Sequence, residues 1–402
     1  MFNIQGLLVD KVEYLDEAKM LLVHCRSPRR YAKCPACGKS TDKIHQYHTR
    51  RIKHDRLNEK QIVLSLQIRR FKCRRCPKPF SEEIIGVDRK RASLNFRQEV
   101  LSWLQRNSFN YIGERFKISG STLNRYVRAV SDCWLIDWDK INVTVLGIDE
   151  HSFRSNNLVI TVTDISNHKL LAILKTDRQR ALIEFLNSIP KKAKDSIKEV
   201  SIDLKHSYKA AIKHCLPKAD IVADRYHVET LAKRMVDEIR AVVQEEHAGR
   251  KGHLKKLLLT NYYLLDDCEK NKLEMVWKKY EHYPVLKQSW LIKEKIIQFY
   301  RLGNFEAAKK NFKYITMLFE TIDRSRYAAT TGRTWKNWKE PILNYFKNKT
   351  TNGFTEGCHT KIKMMKRVSF GFRNIDNYIA KMMLAFIPLI SVADYLLIHH
   401  TN

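Results

Sequence analysis

"VTVLGIDEHSFRSNNLVITVTDISNHKLLAIL", from Val143 to Leu174, is the stretch that declares the architecture. Short apolar runs alternate with turns, and two of them close on an acid: "VTVLGIDE" on Asp149 and "LVITVTD" on Asp164, before "ISNHK" turns into "LLAIL". Runs of this length, rich in Val, Ile and Leu and bounded by Asn and Ser, read as strands. Downstream the period changes. "DRQRALIEFLNSIP" is an amphipathic helix, "EVSID" a strand ending at Asp203, "SYKAAIKHCL" a helix, and "DIVAD" a strand ending at Asp224. This order predicts an α/β domain with a mixed sheet. Period-two alternation puts Asp149 on the face of Val143 and Val145 with Glu150 opposite, so Asp149 points inward. An aspartate at a strand end also serves as a turn former or helix cap, and spacing alone does not choose among the four acids.

Upstream, "CPACG" carries Cys34 and Cys37, and "CRRC" carries Cys73 and Cys76, on either side of the strand-rich "KQIVLSLQIRRFKC". Each CxxC supplies two thiolates from one tight turn, and four such ligands suit a structural Zn2+ ion. A redox role needs only one copy. From Phe96 the pattern turns helical. "YIGERFKISGSTLNRYVRAV" has the shape of a helix-turn-helix: a first helix around Tyr111 to Phe116, a turn at Ile118 to Gly120, and a second helix capped by Ser121. Thr122, Asn124, Arg125 and Arg128 lie near or along its exposed side and are the candidate DNA contacts. Two helices joined by a Ser-Gly turn also occur in bundles that bind nothing.

Past Asp224 the texture is helical, with few Gly or Pro and with Trp277, Trp290, Trp335 and Trp338 at intervals that suit a core. Asn352 and Gly353 then signal a turn, Thr355 a cap, and "TEGCHTKIKMMKR" a helix. On it His359, Thr360, Lys363 and Arg367 share the face of Glu356, while Ile362 and Met365 turn away. Two strand-end carboxylates and a third delivered by this helix make a site for paired Mg2+ (or Mn2+) ions, with Lys363 and Arg367 beside it for phosphates.

A chain of 402 residues accommodates two or three domains. Its net charge of +31 is spread along its length, which points to a polyanionic partner, nucleic acid first. The most apolar stretch, Met382 to Ile398, is broken by Pro388 and Asp394 and reads as a packed C-terminal helix, so no membrane role is expected. "MFNIQGLLVDKVEYL" alternates like a strand and has no leader character. Nine cysteines without secretion features imply reduced thiols and a cytoplasmic protein.

Taken in order, the double CxxC module, the helix-turn-helix, "GIDEHSF", "SIDLKHSYKAAI", "ADRYHV", "NYF" and "NGFTEGCHTKIKMMKR" followed by "FGFRN" resemble the ISL-three group of bacterial insertion-sequence transposases. The resemblance spans nearly the whole chain. It implies a multidomain α+β protein: a zinc-binding module (1–90), a helix-turn-helix (91–140), and an RNase H-like α/β catalytic core (141–227) interrupted by an all-helical insertion (228–346). Residues 347–402 would supply the core's C-terminal helices. It further implies that Asp149, Asp203 and Glu356 are a DDE triad, with Asp224 and His227 a supporting D-x-x-H pair. Two departures from the family pattern stand out: Leu204 and Lys205 in place of a tryptophan soon after the second Asp, and Cys358 and His359 where an asparagine is common. The implied partners are double-stranded DNA, as terminal inverted repeats and target, and further copies of the chain in a homodimer or higher assembly. The rival readings are a non-catalytic zinc and helix-turn-helix regulator, and a nuclease of the same fold that cuts without rejoining.

Overall fold

The sheets and helices follow the periodicities of the sequence closely. The computed structural model describes residues 6–17, 19–84, 86–87, 91–246, 253–323 and 325–398. The start of the expected first strand (1–5) lies outside them. The chain divides into two units, one of Met1–Leu135 with Lys361–Asn402 and one of Ile136–Thr360.

The first unit opens with strands β1 (Leu8–Leu15), β2 (Met20–Arg26), β3 (Ala32–Lys33), β4 (Ser40–Thr41), β5 (Ile44–Leu57), β6 (Lys60–Phe71) and β7 (Phe80–Ser81). Its main sheet runs β1-β2-β6-β5 with β7 on β6, and β3 pairs only with β4. Along β6 the alternating Ile62, Leu64, Leu66 and Ile68 bury one face against Val23, Cys25 and Ile52. Helices α1 (Leu94–Leu104), α2 (Phe109–Phe116) and α3 (Gly120–Ala129) follow. Lys117, with φ +50, closes α2 in the left-handed region, which leaves only Ile118 before the next cap. That cap is Ser119, whose side chain accepts from Thr122 N, and not Ser121 as expected.

The second unit begins with β8 (Val145–Arg154), β9 (Asn157–Asp164) and β10 (Lys169–Leu174), an antiparallel meander. Helices α4 (Gln179–Ser188) and α5 (Lys191–Ser196) lead to β11 (Glu199–Ile202), and α6 (His206–Cys215) leads to β12 (Asp220–Ala223). The sheet order is β10-β9-β8-β11-β12, with β11 parallel to both β8 and β12. Helices then fill the chain: α7 (Arg225–Glu246), α8 (His253–Leu259), α9 (Asp267–Lys279), α10 (Pro284–Phe299), α11 (Phe305–Thr321), α12 (Arg326–Asn337) and α13 (Lys339–Asn348). Their starts have local causes: Asp266 and Glu269 form a capping box on α9, and Pro284 opens α10. Trp277, Trp290, Trp335 and Trp338 are all buried in one core with the sheet.

Helix α14 (Gly353–Val368) starts in the second unit and ends in the first. Helices α15 (Ile375–Phe386) and α16 (Leu389–Ile398) complete the chain. The expected single C-terminal helix is two, bent by 116°, because Pro388 cannot continue a helix. These two helices belong to the first unit, whereas 347–402 was expected to complete the α/β core. Ala380, Leu384, Val392 and Leu396 bury against Phe96, Leu104, Phe116 and Val127 of α1 to α3. Gln105 Nε2 donates to Leu384 O (3.1 Å) and Ile387 O (2.7 Å), satisfying carbonyls at the broken end of α15. Among the described residues no single helix is long and apolar enough to cross a membrane.

Candidate active site and metal centres

The β3–β4 hairpin presents Cys34 and Cys37, and the segment after β6 presents Cys73 and Cys76. Their four sulfurs all lie within 4.8 Å of one another. Gly38, at φ +71, makes the tight turn that aims the first pair, and its amide donates to Cys34 O. Backbone amides of Arg75 and Cys76 pull the Cys73 thiol down to about 6, while its hydrogen bond to Cys37 and burial push Cys76 up to about 12. Four thiolates in this space repel one another. A tetrahedral cation relieves that repulsion, and Zn2+ with sulfur ligands matches the donor set.

In the second unit the register gathers the acids. Ile148 of β8 pairs with Ile202 of β11, which pairs with Ala223 of β12. The next residues, Asp149, Asp203 and Asp224, therefore stand side by side at one edge of the sheet. Asp164 does not join them. Strand β9 runs antiparallel to β8, so Asp164 ends at the opposite edge, where it accepts from Ser166 Oγ, Asn167 N and Asn167 Nδ2 as a turn former.

Asp149 and Asp203 present ligand oxygens within 4.8 Å of each other and of a ring nitrogen of His227. Asp149 is buried, its Oδ2 3.2 Å from His359 Nδ1 and its Oδ1 accepting from Glu150 N at 2.6 Å. Burial works to raise this carboxyl, but the His359 imidazole and the Glu150 amide outweigh it and hold it below the usual carboxylate range. Asp203 goes the other way: burial foremost, with the Asp149 charge added, pushes it up to about 7. His227 Nδ1 lies 2.6 Å from Asp203 Oδ1 and 3.2 Å from Asp224 Oδ2. The same ring nitrogen thus stands between both carboxylates, with Asp203 the nearer. Against the effect of burial, these two acids push His227 up to about 10. Two facing carboxylates with an imidazole nitrogen in the same small space form a donor set that fits a hard divalent cation.

Glu356 sits in the first turn of α14 and is half-buried, outside that tight group. Its carboxyl is raised, by burial first and then by the charges of Asp224 and Asp149. The start of α14 is held by polar contacts to the sheet. Thr355 Oγ1 lies 2.6 Å from Thr163 Oγ1, and Asn352 N donates to Asp224 Oδ1 at 3.2 Å. Thr355 is thus inside the first turn and not the expected cap. Gly147 makes the approach possible: a Cβ there would fall 2.5 Å from Thr163 Oγ1, 2.7 Å from Asn352 Oδ1, and nearer still to Thr355 Oγ1.

Sequence reasoning placed His359 on the solvated basic face with Lys363 and Arg367. It is buried instead, in a chain that runs from Asp149 through His359 to Thr161 (2.9 Å) and on to His151 Nδ1 (2.8 Å). Its spacing of four from buried Thr355 was the available signal. Glu150, on the other face, pairs with Lys205 and Tyr208. A cavity of about 340 Å3 opens beside the acids, lined by Asp149, Asp203, Lys205, Tyr208, His227 and Arg234. The other candidates lie in the first unit: Ser121, Arg125, Arg128, Lys363 and Arg367 are exposed, and Thr122 and Asn124 partly buried. Arg125 donates to Thr122 Oγ1 and Arg128 to Asn377 Oδ1.

Comparison with known proteins finds similarity over most of the chain. Residues 146–382 match the ISL3 DDE family model described as a transposase, and residues 30–76 match the zinc-finger of the IS204/IS1001/IS1096/IS1165 transposases. The chain is 25% identical over 397 residues to the transposase for insertion sequence element IS1001 of Bordetella parapertussis, covering 95% of this chain and 96% of that protein.

Proposed function

This chain belongs to the ISL3 family of insertion-sequence transposases, and from that premise we propose that it cleaves and rejoins double-stranded DNA at the terminal inverted repeats of its element. The zinc ribbon and helix-turn-helix bind the repeats, with Arg125, Ser121 and Thr122 toward the groove and Arg128, Lys363 and Arg367 toward phosphates. Two copies or more bring the two ends together. The second unit is read as an RNase H-like core, with α7 to α13 as its helical insertion. The observation that carries the catalytic reading is the register of β8, β11 and β12, which sets Asp149 beside Asp203 next to the helix of Glu356.

Asp149, Asp203 and Glu356 hold Mg2+ (or Mn2+), which when bound neutralises charge at the scissile phosphate and activates the attacking oxygen. The protein's own part is to hold those carboxylates still. His359 fixes the Asp149 carboxylate, and Asp224 orients both His227 and the backbone that starts α14. Water attacks the phosphorus at the element end and the phosphodiester bond breaks to leave a 3′ hydroxyl. That hydroxyl then attacks a phosphorus of target DNA, displacing a second 3′ oxygen. No covalent protein intermediate is formed.

The test is to incubate purified protein with labelled DNA carrying the flanking repeats and Mg2+, comparing wild type with Asp149→Ala, Asp203→Ala and Glu356→Ala. Binding by all four with cleavage and joining only by wild type is expected. Binding by wild type without metal-dependent cleavage would favour the regulator, and cleavage surviving Glu356→Ala would remove it from the triad.

A further inference from the structure

Phe370 is the most exposed of the large apolar residues, at 95%, whereas the other described phenylalanines are buried or partly so. Phe372, two residues on, stacks edge-on against the buried Tyr378 ring at 5.4 Å. The backbone sharpens the contrast. Phe370 N donates to Arg367 O and Gly371 N to Lys366 O, both at 3.0 Å, the paired bonds of a Schellman cap that ends α14. Phe370 occupies the left-handed position of that cap at φ +53, which glycine takes without steric cost, while Gly371 follows at φ +88. Folding therefore gains nothing from this side chain, which is exposed to water and strained in its backbone. Such a residue is kept for something outside the fold.

Its surroundings indicate what. Between Glu356 and Asp394 the chain carries six Lys and Arg residues and one acid, Asp376. Lys361 and Lys381 are spent on backbone carbonyls, but Lys363, Arg367 and Arg373 are exposed, with Met364 and Val368 exposed between them. An aromatic ring held out rigidly amid cations fits a polyanion with flat apolar faces inside. We infer that Phe370 is a DNA wedge: its ring enters the base stack of bound DNA while Lys363, Arg367 and Arg373 hold the phosphates on either side. This rests on the DNA-binding reading and adds to it a residue that distorts the duplex.

The decisive variant is Phe370→Gly, which removes the ring and relieves the backbone. Duplexes carrying the inverted repeat, with 2-aminopurine walked along them, report unstacking, and polarisation reports affinity. Wild type is expected to raise fluorescence at one position. Phe370→Gly should melt no lower than wild type, lose that signal and bind about tenfold more weakly. Phe370→Trp should keep the signal, and an abasic site at the responsive position should restore binding to Phe370→Gly. Wild-type binding with no signal dependent on Phe370 overturns the wedge and leaves DNA binding standing. A change in self-association with unchanged DNA affinity also overturns it, assigning the ring to a second copy. Failure of wild type to bind the duplex at all removes the DNA-binding reading and the wedge together.

Discussion

Replacing Gly147 by alanine tests the whole account of how Glu356 is brought to the strand acids. The new Cβ would lie 2.5 Å from Thr163 Oγ1, 2.7 Å from Asn352 Oδ1 and closer to Thr355 Oγ1. All three oxygens belong to buried residues, and two of them meet each other at 2.6 Å. Reaching ordinary contact requires the start of α14 to withdraw from β8 by roughly 1 Å and the Thr163 side chain on β9 to turn aside, since a close-packed interior leaves no slack. Overpacking of this kind costs about 1–3 kcal/mol. In a unit of roughly 200 residues that lowers the melting temperature by about 3–10 °C. A displacement near 1 Å at the reacting groups costs on the order of 100-fold in turnover. The assay is thermal unfolding beside metal-dependent cleavage of repeat DNA, for Gly147→Ala, Thr355→Ala and the double variant. Because the nearest oxygen is gone in the double variant, alanine at 147 should cost less there than in wild type. Equal cost in both backgrounds, or wild-type melting and cleavage for Gly147→Ala, would refute the close approach as the device that sets the triad.

Divalent-ion affinity should depend on pH through Asp203. Its folded value of about 7 stands above its ordinary one, so in metal-free protein it contributes stability below about pH 4 that is lost as pH rises through about 7. A cation must displace that proton, so Mn2+ affinity measured by titration should strengthen up to about tenfold per unit from pH 6 to 7 and level off above about 8; a flat profile contradicts the raised carboxyl. Each chain should carry one zinc by elemental analysis, and Cys73→Ser should lose it together with amide protection around the ribbon; retained metal would break the four-thiolate assignment. Ser119→Ala should cost about 1 kcal/mol in chemical unfolding and Ser121→Ala almost nothing, and the reverse order would restore Ser121 as the cap.

Much of the fold was legible because its signals are local. The strands of the second unit's sheet and the helices between them stand where period and turn chemistry put them, and the paired CxxC turns converge as their spacing implies. What local signals lack is strand direction. "LVITVTD" and "EVSID" look alike as strings, yet one runs against β8 and the other along it, so Asp164 and Asp203 end at opposite edges. His359 was misplaced for a related reason: a histidine on a basic helix face reads as solvated until the partner surface is known. The resemblance gave residues 347–402 as a block to the α/β core, whereas the apolar faces of α15 and α16 pack against α1 to α3.

That last packing sets a schedule for synthesis. The second unit has all its residues once Thr360 has left the ribosome, but the core under α1 to α3 waits for Ala380, Leu384, Val392 and Leu396, which are made later. The nascent chain therefore acquires the unit of the strand-end acids before the core of the helix-turn-helix is finished. A premature stop near residue 375 would spare Asp149, Asp203 and Glu356 and still strip the helix-turn-helix of its floor, so such a lesion would unfold the first unit while leaving the second with all its residues.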